Sequence, residues 1–170
     1  ATAPSLGTVK ILQGPTIKLT GDPGRPTLWS PDGQQVSVGY LTSAADGCNP
    51  YELQGLAAGT PGRPLRVLIK PTERELDTAH WSPDGTHIVF HSVDKGNRDI
   101  FAMDADGGNL ETVVATPRQE LAPGWMPDGS VIYNVLPDSF FVVRRNPAKP
   151  TEWGKPKLLV RAAIISLSWD

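Results

Sequence analysis

Short stretches rich in β-branched and aromatic residues recur along the chain, and glycine, proline or aspartate bounds each of them. The clearest are residues 35–41, 86–91 and 130–135. This composition and length are typical of β-strands. No segment of 11 or more residues shows helical periodicity, so the pattern predicts an essentially all-β protein.

Weaker stretches supply further strands at similar offsets. After residues 86–91 come 99–104 and 109–114, joined by a turn at 105–108. The matching pairs are 51–54 and 65–69 earlier in the chain, and 140–144 and 157–160 later. Each group therefore contains the strands of one small antiparallel sheet.

A six-residue motif marks the start of each group. It reads LWSPDG at residues 28–33, HWSPDG at 80–85 and GWMPDG at 124–129, and Trp169 looks like the start of a fourth copy. The tryptophans are 52, 44 and 44 residues apart, close to the 40–45 residues of a four-stranded propeller blade. The motif residues are Trp29, Pro31, Asp32, Gly33, Trp81, Pro83, Asp84, Gly85, Trp125, Pro127, Asp128 and Gly129.

The motif predicts a hairpin turn. Proline suits the second position of a type I turn, serine the first and glycine the fourth. The aspartates occupy the same turn position in each copy, so we expect them to be structural rather than catalytic. We expect the three tryptophans to be largely buried at equivalent places in successive blades.

Residues 81–110 resemble the TolB-type, WD40-like β-propeller repeat. The resemblance is good in the first copy and weaker in the third, where Met126 replaces the serine. It implies a β-propeller or propeller arc of four-stranded blades. It also implies relatives in the periplasmic Tol–Pal system, among surface and secreted proteins, and in the propeller domains of some serine peptidases.

The blades are predicted at about 22–70, 75–116 and 120–161 of a single domain, leaving residues 7–20 and 162–170 at the two ends. The two ends could form one shared blade that closes a four-bladed ring. Alternatively, the chain is an open arc of a larger propeller. Closure is favoured slightly, because an open arc would expose apolar strand edges.

Composition excludes several classes of function. The net charge of −2 over 170 residues argues against a nucleic-acid binder. No apolar stretch has the length of a membrane span. Cys48 is the only cysteine, so an intrachain disulfide cannot form. Neither a nucleophile elbow, nor a phosphate-binding loop, nor an HExxH motif occurs, and we expect no catalysis and no cofactor.

Two groups of residues invite a metal hypothesis. His80 and His87 flank a predicted turn and would be cross-strand neighbours if no bulge intervened, although buried hydrogen-bonded histidines are the default. Residues 104–109 faintly resemble a calcium loop, but the glycine and carboxylate that such a loop needs are missing. A tight turn between strands is the better interpretation, and no metal is predicted.

The last third of the chain has the one marked charge asymmetry. Residues 144–161 hold six cations and the single acid Glu152. Such a patch suits an acidic partner, although a solvated loop rim is the more ordinary interpretation. The binding-surface candidates are Arg144, Arg145, Lys149, Trp153, Lys155 and Lys157.

These features predict a non-enzymatic protein-interaction or scaffolding module that is periplasmic, surface-bound or secreted. A rigid propeller that presents many loops suits binding. The alternatives are the propeller portion of a larger enzyme, such as a serine peptidase, and a structural subunit whose copies associate through blade edges. A protein partner is expected, whereas nucleic acid is not.

Overall fold

A computed structural model describes residues 8–10, 16–18, 28–41, 54–60, 62–70, 75–94 and 96–161. Every regular element within these ranges is a β-strand, and three antiparallel sheets of four strands follow one another along the chain. The sheets are the predicted propeller blades, and the predicted all-β fold class is confirmed.

The strands are numbered in chain order. β1 (Thr8–Lys10) pairs with β2 (Thr16–Lys18). Blade 1 contains β3 (Leu28–Trp29), β4 (Val36–Leu41), β5 (Gln54–Gly59) and β6 (Arg66–Ile69). Blade 2 contains β7 (Glu75–Trp81), β8 (His87–Asp94), β9 (Asn97–Asp104) and β10 (Glu111–Val114).

Blade 3 has an insertion. It begins with β11 (Glu120–Trp125), β12 (Val131–Val135) and β13 (Ser139–Val143). A separate hairpin of β14 (Arg145–Asn146) and β15 (Lys149–Trp153) then precedes the fourth strand, β16 (Lys157–Arg161). In blade 2 the corresponding connection, residues 105–110, contains no strand.

The third strand of blade 1 is displaced from its predicted place. The sequence pattern favours residues 51–54, whereas β5 runs from Gln54 to Gly59; residues 51–53 lie outside the described ranges. Glycine and alanine have low strand propensity, so the sequence pattern does not predict a strand at 55–59. Burial determines its place instead, because Leu56, Ala57 and Ala58 are all in the core.

Blade 2 is buried on both faces. Ile88 and Phe90 of β8 join one apolar cluster with Leu56 of blade 1, whereas Val89 joins another with Tyr133 of blade 3. Successive strand residues point to opposite faces of a sheet, so the apolar run Ile88–Val89–Phe90 supplies both interfaces. Packing between blades therefore forms the core.

Two of the three motif tryptophans, Trp81 and Trp125, contact the preceding blade. Trp81 is only 8% exposed and Trp125 is half-buried. The prediction of burial is wrong for Trp29, which is 57% exposed. Among the described residues no four-stranded sheet precedes blade 1, so Trp29 lacks the surface that the other two cover.

The predicted joining of the two chain ends falls largely outside the described ranges. Residues 163–169 are not described, and of residues 8–20 only β1 and β2 are. The shared blade therefore stays a prediction. Within the described ranges, no helix has the length and apolar character that a membrane crossing requires.

Candidate interaction surface

The three aspartates of the repeated motif each organise their own turn. Asp84 Oδ1 accepts hydrogen bonds from Ser82 Oγ at 2.6 Å and from the Thr86 backbone N at 3.0 Å. Asp32 accepts equivalent bonds from Ser30 Oγ and Gln34 N. Gly85 N donates to Ser82 O at 2.9 Å, as a type I turn requires.

These hydrogen bonds favour the charged carboxylates. The pKa of Asp84 is lowered to about 2, first by the Ser82 hydroxyl and then by the Thr86 backbone. The pKa of Asp128 is also lowered to about 2, first by the Ser130 hydroxyl. Carboxylates held in this way are acceptors that stabilise a turn, and not proton donors at neutral pH.

The third turn, which has Met126 in place of serine, is one residue shorter than the other two. Ser30 N and Ser82 N donate to carbonyls five residues later, whereas Met126 N donates to Ser130 O, four residues later. The serine hydroxyl accepts the backbone N–H of the fifth residue in both longer turns. Met126 has no hydroxyl to accept that bond, whereas Ser130 donates to Asp128 as Thr86 does to Asp84.

The strand register separates the two candidate metal-binding histidines. His80 lies opposite Val89, so it is not the cross-strand neighbour of His87. The turn between them closes at Ser82 and His87. The partner of His80 is therefore Val89, two residues beyond the expected partner His87. His87 Nε2 lies 3.6 Å from Asp104 Oδ1, and burial lowers the pKa of His80.

Residues 104–109 form a turn between β9 and β10. Asp104 N donates to Gly108 O at 2.9 Å, and Gly107 adopts a φ of 85°. A Cβ at Gly107 would lie 3.1 Å from Leu68 Cδ2 on blade 1, so the turn packs closely there. Among the described residues, no group of three or more His, Cys, Asp or Glu could hold a metal ion.

The inserted β14–β15 hairpin carries Arg145, Lys149 and Trp153 of the basic patch and connects blade 3 to blade 2. Arg145 forms an ion pair with Glu111 of β10, and its guanidinium lies 4.5 Å from the ring centre of Trp153. The Trp153 ring packs at 6.2 Å from the Trp125 ring. Arg145 and Trp153 thus form the contacts of the hairpin with the two blades.

Two other cations of the patch are also paired. Arg144 lies 3.0 Å from Asp128, and Lys149 lies 3.0 Å from Glu152. None of the ion pairs within the described ranges involves Lys155 or Lys157. Among the described residues, the candidate cations therefore divide into a paired set in or next to the hairpin and a set without an ion pair in or next to β16.

β16 is exposed along its whole length. It lies at the edge of blade 3, paired with β13 on one side, and all five of its residues are exposed. Its apolar residues are about half exposed: Leu158 49%, Leu159 52% and Val160 46%. No described strand pairs with its other side. We call Lys155 and residues 157–161 together the basic edge.

The basic edge is only partly evident in the sequence. The apolar run between Lys157 and Arg161 predicts a strand at 157–160, but a continuous apolar run normally indicates burial. Exposure depends on which sheet faces lie next to β16, and that information is not local. Sequence reasoning also missed buried Glu120, which stands where the preceding repeat has Leu76.

The described sheets are similar to propellers of known structure, although no family model matches the chain. A structure assigned as TolB from Agrobacterium tumefaciens superposes with a TM-score of 0.61 and 19% identity, covering 88% of this chain and 55% of that one. A prolyl endopeptidase superposes with a TM-score of 0.58 and 16% identity, covering 89% and 23%. At these identities the likeness shows the fold.

Sequence similarity points to one of these groups. The Tol-Pal system protein TolB of Anaeromyxobacter dehalogenans is 30% identical over 98 residues, which are 57% of this chain and 20% of that protein. The chain therefore spans about a fifth of the length of this relative. The match supports the assignment of the repeat. It does not extend the activity of the whole relative to this chain.

Proposed function

The chain is a member of the TolB-type β-propeller repeat family, and on that premise we propose that it is a non-enzymatic protein-interaction module. The observation that carries the proposal is the basic edge. Half-exposed Leu158, Leu159 and Val160 lie between the cations Lys157 and Arg161 on a strand whose outer side pairs with no described strand. An exposed edge of this kind can pair with a further strand.

The occupant that fits this edge best is an extended acidic segment of a partner protein. Backbone hydrogen bonds to β16 would supply sequence-independent affinity, and the exposed aliphatic side chains would favour alternating apolar residues in the partner. Lys155, Lys157 and Arg161 would favour acidic residues and accelerate encounter. Arg144, Arg145 and Lys149 already form ion pairs within the chain and are left out of the proposed surface.

A peptide-binding experiment tests the proposal. The probe is a fluorescent peptide of alternating glutamate and valine, titrated onto the purified chain by anisotropy. We expect Lys157→Glu with Leu159→Glu to weaken binding by about tenfold or more. Arg63→Glu, an exposed charge reversal on blade 1, is the matched control and should bind as the parent does.

Two further measurements make the result decisive. The same peptide with N-methylated backbone amides should bind weakly, because strand addition needs its N–H groups. Equal binding by the parent and the double variant would refute the basic edge as the site. A dimer that the double variant abolishes would mean that a second copy, as in a structural assembly, is the occupant.

The second candidate is that the chain forms the propeller portion of a larger serine peptidase. The similarity to a prolyl endopeptidase supports this at the level of fold. Labelling the natural gene product with a fluorophosphonate distinguishes the two candidates. A labelled serine outside these 170 residues would favour the peptidase, whereas an unlabelled product favours the interaction module.

We also propose a periplasmic location, with the cell surface or secretion as alternatives. The curated relative is a Tol-Pal system protein, and this likeness supports the assignment. Fractionation of the source cells with an antibody against the chain tests it. Recovery in the cytoplasmic fraction alone would contradict the proposal.

A further inference from the structure

Glu120 is a buried carboxyl at a position where the repeat otherwise has an aliphatic side chain. It stands five residues before Trp125, as Leu76 stands five residues before Trp81. Both are in the core, with Glu120 1% and Leu76 2% exposed. The strand register shifts just after each, in β11 and in β7. Equivalent backbone therefore carries a carboxyl in blade 3 and a butyl group in blade 2.

The partners of Glu120 come from the chain that links the two blades. Thr116, in the connection between β10 and β11, donates to the Glu120 carboxyl from its hydroxyl and from its backbone N. Asn97 Nδ2 donates to Thr116 O at 2.6 Å and to Asp99 Oδ1 at 2.7 Å. The network thus joins β9, the 115–119 connection and β11.

Asp99 makes this network sensitive to charge. It is 8% exposed and accepts a bond from Asn97, which also bonds to Thr116; the pKa of Glu120 is raised first by burial and further by the charge of Asp99. None of the ion pairs formed by the described residues involves either carboxyl. Two carboxylates in one buried network repel one another unless one of them is protonated, because little water is present to screen their charges.

The other titratable or charged groups nearby come from three elements. His91 of β8 is buried, and its Nδ1 accepts a 3.4 Å bond from Ala122 N. Arg118, in the connection, is exposed. The pKa of Tyr133 on β12 is raised to about 12, by burial first and then by the charge of Glu120, so this side chain is neutral across the physiological range.

We propose that Glu120 is a proton-operated latch at the interface between blade 2 and blade 3. When Glu120 is protonated, its hydroxyl bonds to Asp99 and the 115–119 connection stays closed over the interface. When Glu120 loses its proton, repulsion from Asp99 loosens the Thr116 contacts and increases local opening of the connection. An aliphatic residue, as at Leu76, would give a joint that does not respond to pH.

The direction of the pH dependence follows from the geometry. Burial is the largest cause that raises the pKa of Glu120 above its ordinary value of 4.5. The folded chain therefore binds more protons than the unfolded chain between pH 4.5 and the raised pKa. The stabilising contribution is fully present below pH 4.5 and is lost as pH rises through that window.

Hydrogen exchange of the full chain, followed by mass spectrometry at several pH values, tests the latch. After correction for intrinsic exchange, we expect the opening equilibrium of residues 115–122 to rise by up to about tenfold per pH unit within the window. Glu120→Gln removes the ionisation at almost unchanged size and should make this profile flat. Glu152→Gln, at an exposed carboxyl, should retain the parent profile.

Two more results complete the test. Glu120→Leu should also give a flat profile, and Asp99→Asn should reduce the slope because it removes the repelling charge. If one of these variants does not fold, the Glu120→Gln profile decides the matter alone. Equal pH dependence of exchange in the parent chain and in Glu120→Gln would overturn the proposal.

Discussion

The indole Nε1 of Trp81 donates a hydrogen bond to Ser37 Oγ over 3.0 Å, and this bond ties blade 2 to blade 1. Trp125 repeats the arrangement one blade later, donating to His80 O at 3.2 Å. Trp81 and Trp125 thus contact the preceding blade. The exposure of a motif tryptophan depends on whether a blade lies next to it. A comparison of exposed Trp29 with buried Trp81 therefore tests this role.

Trp81→Ala should lower the free energy of unfolding by about 3–5 kcal/mol, because it removes a large buried side chain and leaves a cavity. Trp29→Ala should change it by about 0.5 kcal/mol or less, as expected of an exposed position. Urea denaturation of both variants provides the measurement. Equal losses would show that Trp29 is buried in solution.

Arg145→Ala should destabilise the chain by about 1–2 kcal/mol, because it removes both the contact with the Trp153 ring and the partly buried ion pair with Glu111. Lys155→Ala, at an exposed cation that pairs with no described acid, is the control and should be nearly neutral. A double-mutant cycle with Glu111→Gln separates the ion pair from the ring contact. A coupling energy of zero would show that the Arg145–Glu111 ion pair does not contribute to stability.

Asp84→Asn should destabilise the chain at neutral pH and become harmless in strong acid. The lowered pKa of Asp84, from 3.8 to about 2, means that its contribution is present above pH 3.8 and disappears as pH falls to about 2. Solvent screening of this exposed group limits the difference to about 1 kcal/mol. Thermal melts of parent and variant from neutral pH down to that limit should converge; a constant gap would indicate a steric cause.

Local chemistry made much of the fold predictable. The Ser-Pro-Asp-Gly turns depend on residues within five positions of one another, so Ser82 and Asp84 are in the roles that their types predict. Strands rich in β-branched residues, such as β8 and β12, were evident for the same reason. The sequence does not predict the inserted β14–β15 hairpin as strands, because two short strands rich in lysine, proline and threonine have little apolar periodicity.

Properties that depend on distant neighbours were not predictable. The exposure of Trp29 and Leu159 is determined by which blade face lies next to them, which no local window contains. The burial of Glu120 was missed because a glutamate at the start of a strand ordinarily faces water. The register of β7 and β8 also differs from the expected one. The turn closes between Ser82 and His87, so His80 does not lie opposite His87.

The measurement that tests the account most directly is hydrogen exchange at β16 with and without the alternating glutamate–valine peptide. If the basic edge binds an extended segment, backbone amides within Lys157–Arg161 should become protected on peptide addition, by about tenfold or more at saturation. Amides of β10, the outer strand of blade 2, should not change. Protection elsewhere with β16 unchanged, or no protection at a saturating peptide concentration, would contradict the basic edge as the binding surface.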